Sequence, residues 1–209
     1  MKNFITLLSL QPKGDLKKPI YKNASDNPKL TYGEPTSFPI IQLIHGYAEK
    51  GEKIKITVLL TDNKDVTANY ENYFIPELEA LSIKMEFEYI IDKLTKPQDE
   101  SIEVNLKFFT EVIEKINDEE QLFICRTFGQ KPTTEVMSMA LNYAYQIKKN
   151  TTIECIVYGE VKHPEPEDSK IYDHTALFYM NSIVNKLAKM KAPDPLGAIK
   201  LMLGIDGGD

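Results

Sequence analysis

The sequence has 209 residues, of which 42% are hydrophobic and 27% are charged, and its formal net charge is −6. This composition is typical of an ordinary globular protein and predicts one large domain with appendages. The acidic balance disfavours a surface that binds long nucleic acid through many phosphates, because that mode needs a broad basic field. The binding of a small anion in a local basic pocket is compatible with this acidic net charge.

No apolar run approaches the roughly 18 residues that a membrane helix needs, and the N-terminus lacks a signal-peptide pattern. We therefore expect a cytoplasmic protein without a membrane partner. The two cysteines, Cys125 and Cys155, lie in strand-like runs and have no further cysteine or histidine at metal-ligand spacing. They are predicted to be buried reduced thiols, and the sequence predicts neither a metal site nor a cofactor.

Short apolar runs alternate with segments of helical period, which is the pattern of a doubly wound α/β fold with a mostly parallel sheet. The predicted strands cover residues 4–9, 54–61, 85–92, 121–126 and 152–159. The predicted helices cover residues 40–48, 68–83 with a kink or break at Pro76, 102–116, a segment that begins beside Thr133 and Thr134, and 175–190.

Three segments interrupt this alternation. Residues 11–35 form a long stretch in which "KPIYKN" and "KLTYGE" can be short strands joined by a turn. Residues 162–170 are predicted to be an acidic surface connection. Residues 1–190 are predicted to form the main domain, and the tail, residues 191–209, is either an arm that packs on a partner subunit or a linker.

Ligands of open parallel sheets bind outside the carboxyl ends of the strands, which directs attention to the loops after the first and fourth predicted strands. Each loop contains a glycine and a lysine, and the second ends at a helix N-terminus that favours an anion. These loops lack both the Walker and the Gly-x-Gly-x-x-Gly patterns. The candidate ligand-binding residues are Leu10, Gln11, Pro12, Gly14, Arg126, Thr127, Phe128, Gly129, Gln130, Pro132, Thr133 and Thr134, and the lysines beside them are Lys13 and Lys131.

Arg126 is the only arginine among the 25 basic residues. Its planar guanidinium suits a phosphate better than an ammonium group does, so we expect a phosphate or adenine contact there, or else an ion pair that braces the loop. The histidines, His45, His163 and His174, are interpreted as surface or capping residues. No nucleophile–histidine pair of a known pattern is visible.

Three segments resemble the CRISPR-associated proteins of the DxTHG-motif type, a branch of the CARF (CRISPR-associated Rossmann fold) superfamily. "CRTFG" stands where that branch has its motif, and "MSMALNYAYQIKK" and "IECIVYGEV" follow as its long helix and next strand. The opening "FITLLSLQPKGDLKKPIY" is also similar, and the resemblance in order extends over most of residues 1–190. Thr127 and Gly129 match the motif. Cys125 and Phe128 replace its aspartate and histidine, so the role of that histidine cannot be carried over.

The resemblance implies a homodimer that binds a cyclic oligoadenylate across its two-fold axis, with a tetra-adenylate favoured over a hexa-adenylate. Type III CRISPR complexes produce these rings as second messengers. Two copies each of Lys13, Arg126 and Lys131 can meet the phosphates of such a ring without a basic exterior.

Many relatives carry a ribonuclease domain marked by an arginine followed closely by a histidine, and this HEPN motif is absent here. We therefore expect a sensor that either cleaves the ring without a metal or signals to an effector protein. In the first case, a ribose hydroxyl attacks the adjacent phosphate, and Ser9, Lys13 and Lys131 are the catalytic candidates. Two alternatives stay open: the sensor half of a longer effector, and an unrelated α/β protein that binds a mononucleotide.

Overall fold

The computed structural model describes residues 1–12, 16–162 and 165–204. The chain divides into two compact units, Met1–Asp173 and His174–Asp209. The first unit contains the sheet and the loops of interest. The second begins at the helix that the sequence analysis placed at the end of the main domain.

A seven-stranded sheet with the order β2-β7-β6-β5-β1-β3-β4 forms the centre of the first unit. Its strands are β1 (Lys2–Leu7), β2 (Lys22–Asn23), β3 (Lys53–Thr61), β4 (Glu88–Lys96), β5 (Gln121–Cys125), β6 (Thr152–Glu160) and β7 (Lys170–Asp173). Neighbouring strands are parallel except β6 and β7, which are antiparallel. The predicted α/β class with a mostly parallel sheet is confirmed.

The edge beyond β6 differs from the prediction. Lys170–Asp173 forms strand β7, which is antiparallel to β6, begins at the last residue of the predicted surface connection, residues 162–170, and was not predicted as a strand. "KPIYKN" contributes the two-residue strand β2. "KLTYGE" is not a strand, because its first residues close a 3-10 turn, Pro28–Leu30, whose preceding Asn27 accepts a hydrogen bond from the Lys29 amide.

The helices of the first unit are α1 (Pro39–Tyr47), α2 (Lys64–Asn69), α3 (Ile75–Met85), α4 (Ile102–Glu114) and α5 (Lys131–Ile147). A π-helical turn, Tyr70–Phe74, joins α2 to α3 without a loop. The kink or break predicted in residues 68–83 is thus a widened turn, and Pro76, the second residue of α3, follows it directly.

Both faces of the sheet are covered. The largest buried cluster joins residues of α1 and α3 to Phe4 and Phe123, whose rings stack at 4.7 Å. Because side chains alternate along a strand, Ile5 and Ile124 face the opposite side, where α4 and α5 contribute buried Phe108 and Met137. Helices on both faces identify a doubly wound arrangement.

The second unit contains α6 (Thr175–Lys189) and α7 (Pro195–Met202). The Asp194 carboxylate accepts a hydrogen bond of 2.9 Å from the Gly197 amide and caps α7. None of the helices in the described ranges combines the length and apolar character that crossing a membrane requires.

Candidate functional site

The strand order reverses at β1, which lies between β5 and β3. The chain leaves β1 to build one side of the sheet and returns at β5 to build the other, so the carboxyl ends of β1 and β5 open onto a crevice. Thr6 is in register with Cys125. The β1 loop, residues 8–12, and the β5 loop, residues 126–130, therefore start side by side, as the sequence analysis required of its candidate residues.

A hydrogen bond between the Ser9 side chain and the backbone shapes the β1 loop. Ser9 is 1% exposed, and its hydroxyl accepts a hydrogen bond of 3.1 Å from the Gln11 amide. Leu10 packs against the core, whereas Gln11 and Pro12 are exposed. Buried Ser9 thus stabilises the shape of the loop, and Gln11 and Pro12 are its solvent-exposed residues. Lys13 and Gly14 lie outside the described residues.

Asn69, at the end of α2, holds the β1 loop, and the sequence analysis did not identify it. Its amide nitrogen donates to the carbonyl oxygens of Ser9 at 3.0 Å and Gln11 at 2.9 Å. The sequence gives no signal for this role, because a lone asparagine in a predicted helix reads as a solvated residue. Only the packing of α2 beside β1 reveals it.

Arg126 begins the β5 loop, and its position is fixed by the backbone. Its amide donates to the Val157 carbonyl oxygen at 2.9 Å, which continues the β5–β6 ladder by one residue. The residue is half-buried, and its guanidinium forms no ion pair with any acidic side chain of the described residues. Its planar donor fork is therefore not committed to an internal carboxylate.

Thr127 ties the β5 loop to the end of β6. Its hydroxyl accepts a hydrogen bond of 2.8 Å from the Gly159 amide and lies 3.2 Å from the Cys125 sulfur. Burial raises the pKa of the Cys125 thiol, so this cysteine stays protonated and is not a nucleophile. Both cysteines are buried and free of disulfides.

Phe128 packs toward the core. Its ring meets that of Phe38 edge-on, with centroids 6.1 Å apart, and it contacts the main hydrophobic cluster. A phenylalanine that packs against the core thus stands where the DxTHG pattern has a histidine.

Gly129 allows the β5 loop to cross the end of β1. Its φ is +108°, and a Cβ at this position would lie 2.7 Å from Cδ1 of Leu7. Both the backbone angle and the close approach require glycine here.

Helix α5 begins earlier than predicted. Gln130 is its N-cap, Lys131 its first residue and Pro132 its second, so Thr133 and Thr134 lie inside the first turn. Proline is favourable in a first turn because its φ is preset for a helix. The Thr134 amide and hydroxyl both donate to the Gln130 carbonyl oxygen at 3.0 Å, and the amide bond is the first intrahelical hydrogen bond of α5.

Two polar side-chain atoms at this helix start are buried without a partner in the described structure, namely Oε1 of Gln130 and Oγ1 of Thr133. Thr133 is 2% exposed, whereas Lys131 and Pro132 are exposed. An unpaired buried oxygen is costly, so a donor or acceptor from outside the described residues would be stabilising here.

A separate cavity of about 230 Å³ lies between α1, α3 and the long segment before α1. The Glu77 carboxylate lines it, accepts a hydrogen bond of 2.6 Å from the Thr36 hydroxyl and pairs with Lys18 at 3.2 Å. Glu77 and Glu34 at this cavity are each paired with a lysine, Lys18 and Lys84, so the cavity offers an anion no excess of positive charge. Anions fit better at the edge formed by the β1 and β5 loops, because Arg126, Lys131 and the N-terminus of α5 lie there.

Comparisons of the sequence with protein-family models and with curated proteins find no match. The functional argument therefore rests on the fold and on the geometry of this edge.

Proposed function

We propose that the protein binds a cyclic oligoadenylate at the edge formed by the β1 and β5 loops, as a homodimer of the CARF type. The observation that carries the proposal is Arg126. The only arginine of the chain stands at the strand-order reversal, half-buried, and its guanidinium pairs with no acidic side chain of the described residues. A phosphate is the partner that this planar donor fork fits best.

The charge distribution supports a small polyanion as the ligand. The chain is acidic overall, with a net charge of −6, yet this edge combines Arg126, Lys131 and a helix N-terminus. Two chains related by a two-fold axis would duplicate these groups around one ring, which is enough for a few phosphates. Such a ring lies between the chains, so each chain presents half of the site.

For ring cleavage, we assign different roles to the catalytic candidates. Lys131 is exposed and can stabilise charge on the attacked phosphate. Ser9 is 1% exposed and already accepts the Gln11 amide, so we assign it to shaping the β1 loop. Gln11 and Pro12 then supply the ligand contacts of that loop.

Titration calorimetry tests the binding proposal. Cyclic tetra-adenylate and cyclic hexa-adenylate are titrated into the full chain, with AMP, ATP and linear tetra-adenylate as controls. We expect one ring bound per two chains, tightest for the tetra-adenylate, and a particle mass in light scattering of twice 23.9 kDa. Binding of one AMP or ATP per chain, with no response to either ring, would identify the mononucleotide-binding alternative instead.

Ring cleavage needs its own experiment. Labelled cyclic tetra-adenylate is incubated with excess protein and EDTA, and the products are separated over several hours. Linear products that disappear in a Lys131→Ala variant would identify a ring nuclease. An intact ring that remains bound would identify a receptor that signals to another protein.

A further inference from the structure

The π-helical turn between α2 and α3 is connected to both loops of the proposed site, through the residue before it to the β1 loop and through a chain of aromatic rings to the β5 loop. In this turn, Tyr70–Phe74, the amide of Ile75 bonds to the carbonyl oxygen of Tyr70, five residues back. Such turns are rare and occur mostly as single insertions in helices, frequently at functional sites. Pro76 follows the turn and lacks the amide that would bond four residues back to Asn72, so the proline favours widened bonding at this place.

The first contact is made by Asn69, the residue just before the π turn. Asn69 is fully buried, and its amide nitrogen donates to the carbonyl oxygens of Ser9 and Gln11 at 3.0 and 2.9 Å. Turning the amide over would bring its oxygen against these two carbonyls, so its orientation is fixed. Its Oδ1 has no partner within the described structure, which leaves the two donated bonds as its polar connections there.

The second contact runs through aromatic rings. Phe74, the last residue of the π turn, meets Phe38 edge-on with ring centroids 5.4 Å apart. Phe38 in turn meets Phe128 of the β5 loop at 6.1 Å. Phe74 and Phe38 are fully buried, so this chain of rings has little room to rearrange.

The widened turn explains how one short segment makes both contacts. In a regular α-helix, residues five positions apart point in directions that differ by about 140°. The i to i+5 bonding of a π turn brings such residues close to the same side. Asn69 and Phe74 are five positions apart, and both are buried here.

We propose that the π turn Tyr70–Phe74, together with Asn69, is the positioning element of the site and holds the β1 and β5 loops in their binding arrangement. Its effect on ligand affinity rests on the proposed function, whereas its effect on the loops does not. An ordered pair of loops binds more tightly, because less of the binding free energy is used to order them.

Hydrogen exchange and ring titration of an Asn69→Leu variant test this element. Leucine keeps the volume of the side chain and removes the two donated bonds. The matched control is Asn105→Leu, because Asn105 is also buried, its amide nitrogen also donates to two carbonyl oxygens, those of Glu100 and Ser101 at 3.0 Å, and it belongs to neither loop nor the π turn. A Phe74→Leu variant tests the second connection, because Phe74 at the other end of the turn packs on Phe38, which packs on Phe128 of the β5 loop.

For Asn69→Leu without ligand, we expect exchange of residues 8–12 and 126–130 to accelerate about tenfold, because the two bonds that order the β1 loop are lost and the β5 loop starts beside it. Exchange in β3 should stay slow, which shows that the variant is folded. Ring affinity should fall by about the same factor, and saturating ring should return both loops to the wild-type exchange rate. The Asn105→Leu variant should match the wild type in the exchange of both loops and in ring affinity.

Asn69→Leu could accelerate the exchange of residues 8–12 alone, and Phe74→Leu could leave the exchange of residues 126–130 unchanged. These two results together would overturn the proposal that one element positions both loops. Unchanged exchange in both loops would overturn the role of Asn69 as well. If both loops respond while the wild-type protein ignores every ring, the positioning element stands and the proposed ligand is wrong.

Discussion

The buried polar groups at the two ends of the sheet differ in whether they have hydrogen-bond or ion-pair partners. At the amino end, the ammonium of Lys55, which is 4% exposed, pairs with Glu120 at 3.2 Å. The other carboxylate oxygen of Glu120 accepts the Asn3 amide at 2.7 Å, and the Asn3 oxygen accepts the Thr57 hydroxyl at 2.9 Å. This amino-end network thus connects four buried side chains, each with a partner.

At the carboxyl end, between β1 and β5, the groups lack such partners. Oxygens of Asn69, Gln130 and Thr133 are buried and unpaired in the described structure, and Arg126 has no ion pair there. A buried polar group without a partner costs more than it contributes, so a fold keeps several together only where something else satisfies them. The contrast separates groups that are paired within the fold from groups that are unpaired in the described structure, which also include buried atoms away from this edge, such as Oε1 of Gln42 and Oδ1 of Asn105.

Breaking the amino-end network should have the largest effect. A Glu120→Ala variant leaves Lys55 and Asn3 without their main partner, and we expect a loss of about 3 kcal/mol in the free energy of unfolding, measured by urea denaturation. The control is Lys107→Ala, which removes an exposed pair with Glu111 and should cost less than about 0.5 kcal/mol. Equal losses in the two variants would contradict the view that this network is buried structure.

Glycines at the two ends give the next comparison. A Gly129→Ala variant meets both an unfavourable φ of +108° and the Leu7 side chain, and we expect it to lose about 2 kcal/mol in the free energy of unfolding. Gly51, before β3, has a φ of +76° and nothing within 4 Å of an added Cβ. Its replacement by alanine should cost about 1 kcal/mol, from the backbone alone.

Ring binding should respond much more to Gly129→Ala than to Gly51→Ala, since only Gly129 belongs to the β5 loop. Similar losses of affinity in the two variants would show that stability alone, and not the shape of this loop, controls binding.

An Arg126→Lys variant should separate binding from stability. No ion pair with a described residue is lost, so the free energy of unfolding should change by less than about 0.5 kcal/mol. Ring affinity should fall about tenfold, because an ammonium cannot form two parallel bonds to one phosphate. If stability fell as in Glu120→Ala and affinity were unchanged, Arg126 would be a structural brace.

The sequence predicts the buried centre of this fold well. Strands β1, β3 and β5 are almost entirely buried, as expected where both faces are covered, and the predicted bounds of these strands and of β6 lie within two residues of the observed ones. Strand β7 was missed because its four residues are few and follow an acidic segment, and because one of its neighbours, β2, is a two-residue strand from a distant part of the chain. The π turn was missed because its hydrophobic spacing resembles that of a helix with a proline kink.

The sequence also predicts which loops meet, because the carboxyl ends of parallel strands share one edge of the sheet. It does not predict how each side chain is used there. Phe128 was a candidate ligand contact by position, but its ring packs against Phe38 from a distant part of the chain. Asn69 reaches the β1 loop only through the packing of α2, which no local pattern reports.

Two buried threonines give the smallest and most direct comparison of the two ends. Thr57 donates to Asn3, so Thr57→Val leaves the Asn3 oxygen unpaired and should cost about 1 kcal/mol in the free energy of unfolding. Thr133→Val removes a buried hydroxyl that has no partner within the described structure, and should leave stability unchanged or raise it by up to about 1 kcal/mol. Denaturation measures both, and ring titration adds the functional readout: only Thr133→Val should weaken binding, because the α5 start faces the proposed ligand. A destabilising Thr133→Val would mean that the folded protein already satisfies this hydroxyl, and the carboxyl end would then be as closed as the amino end.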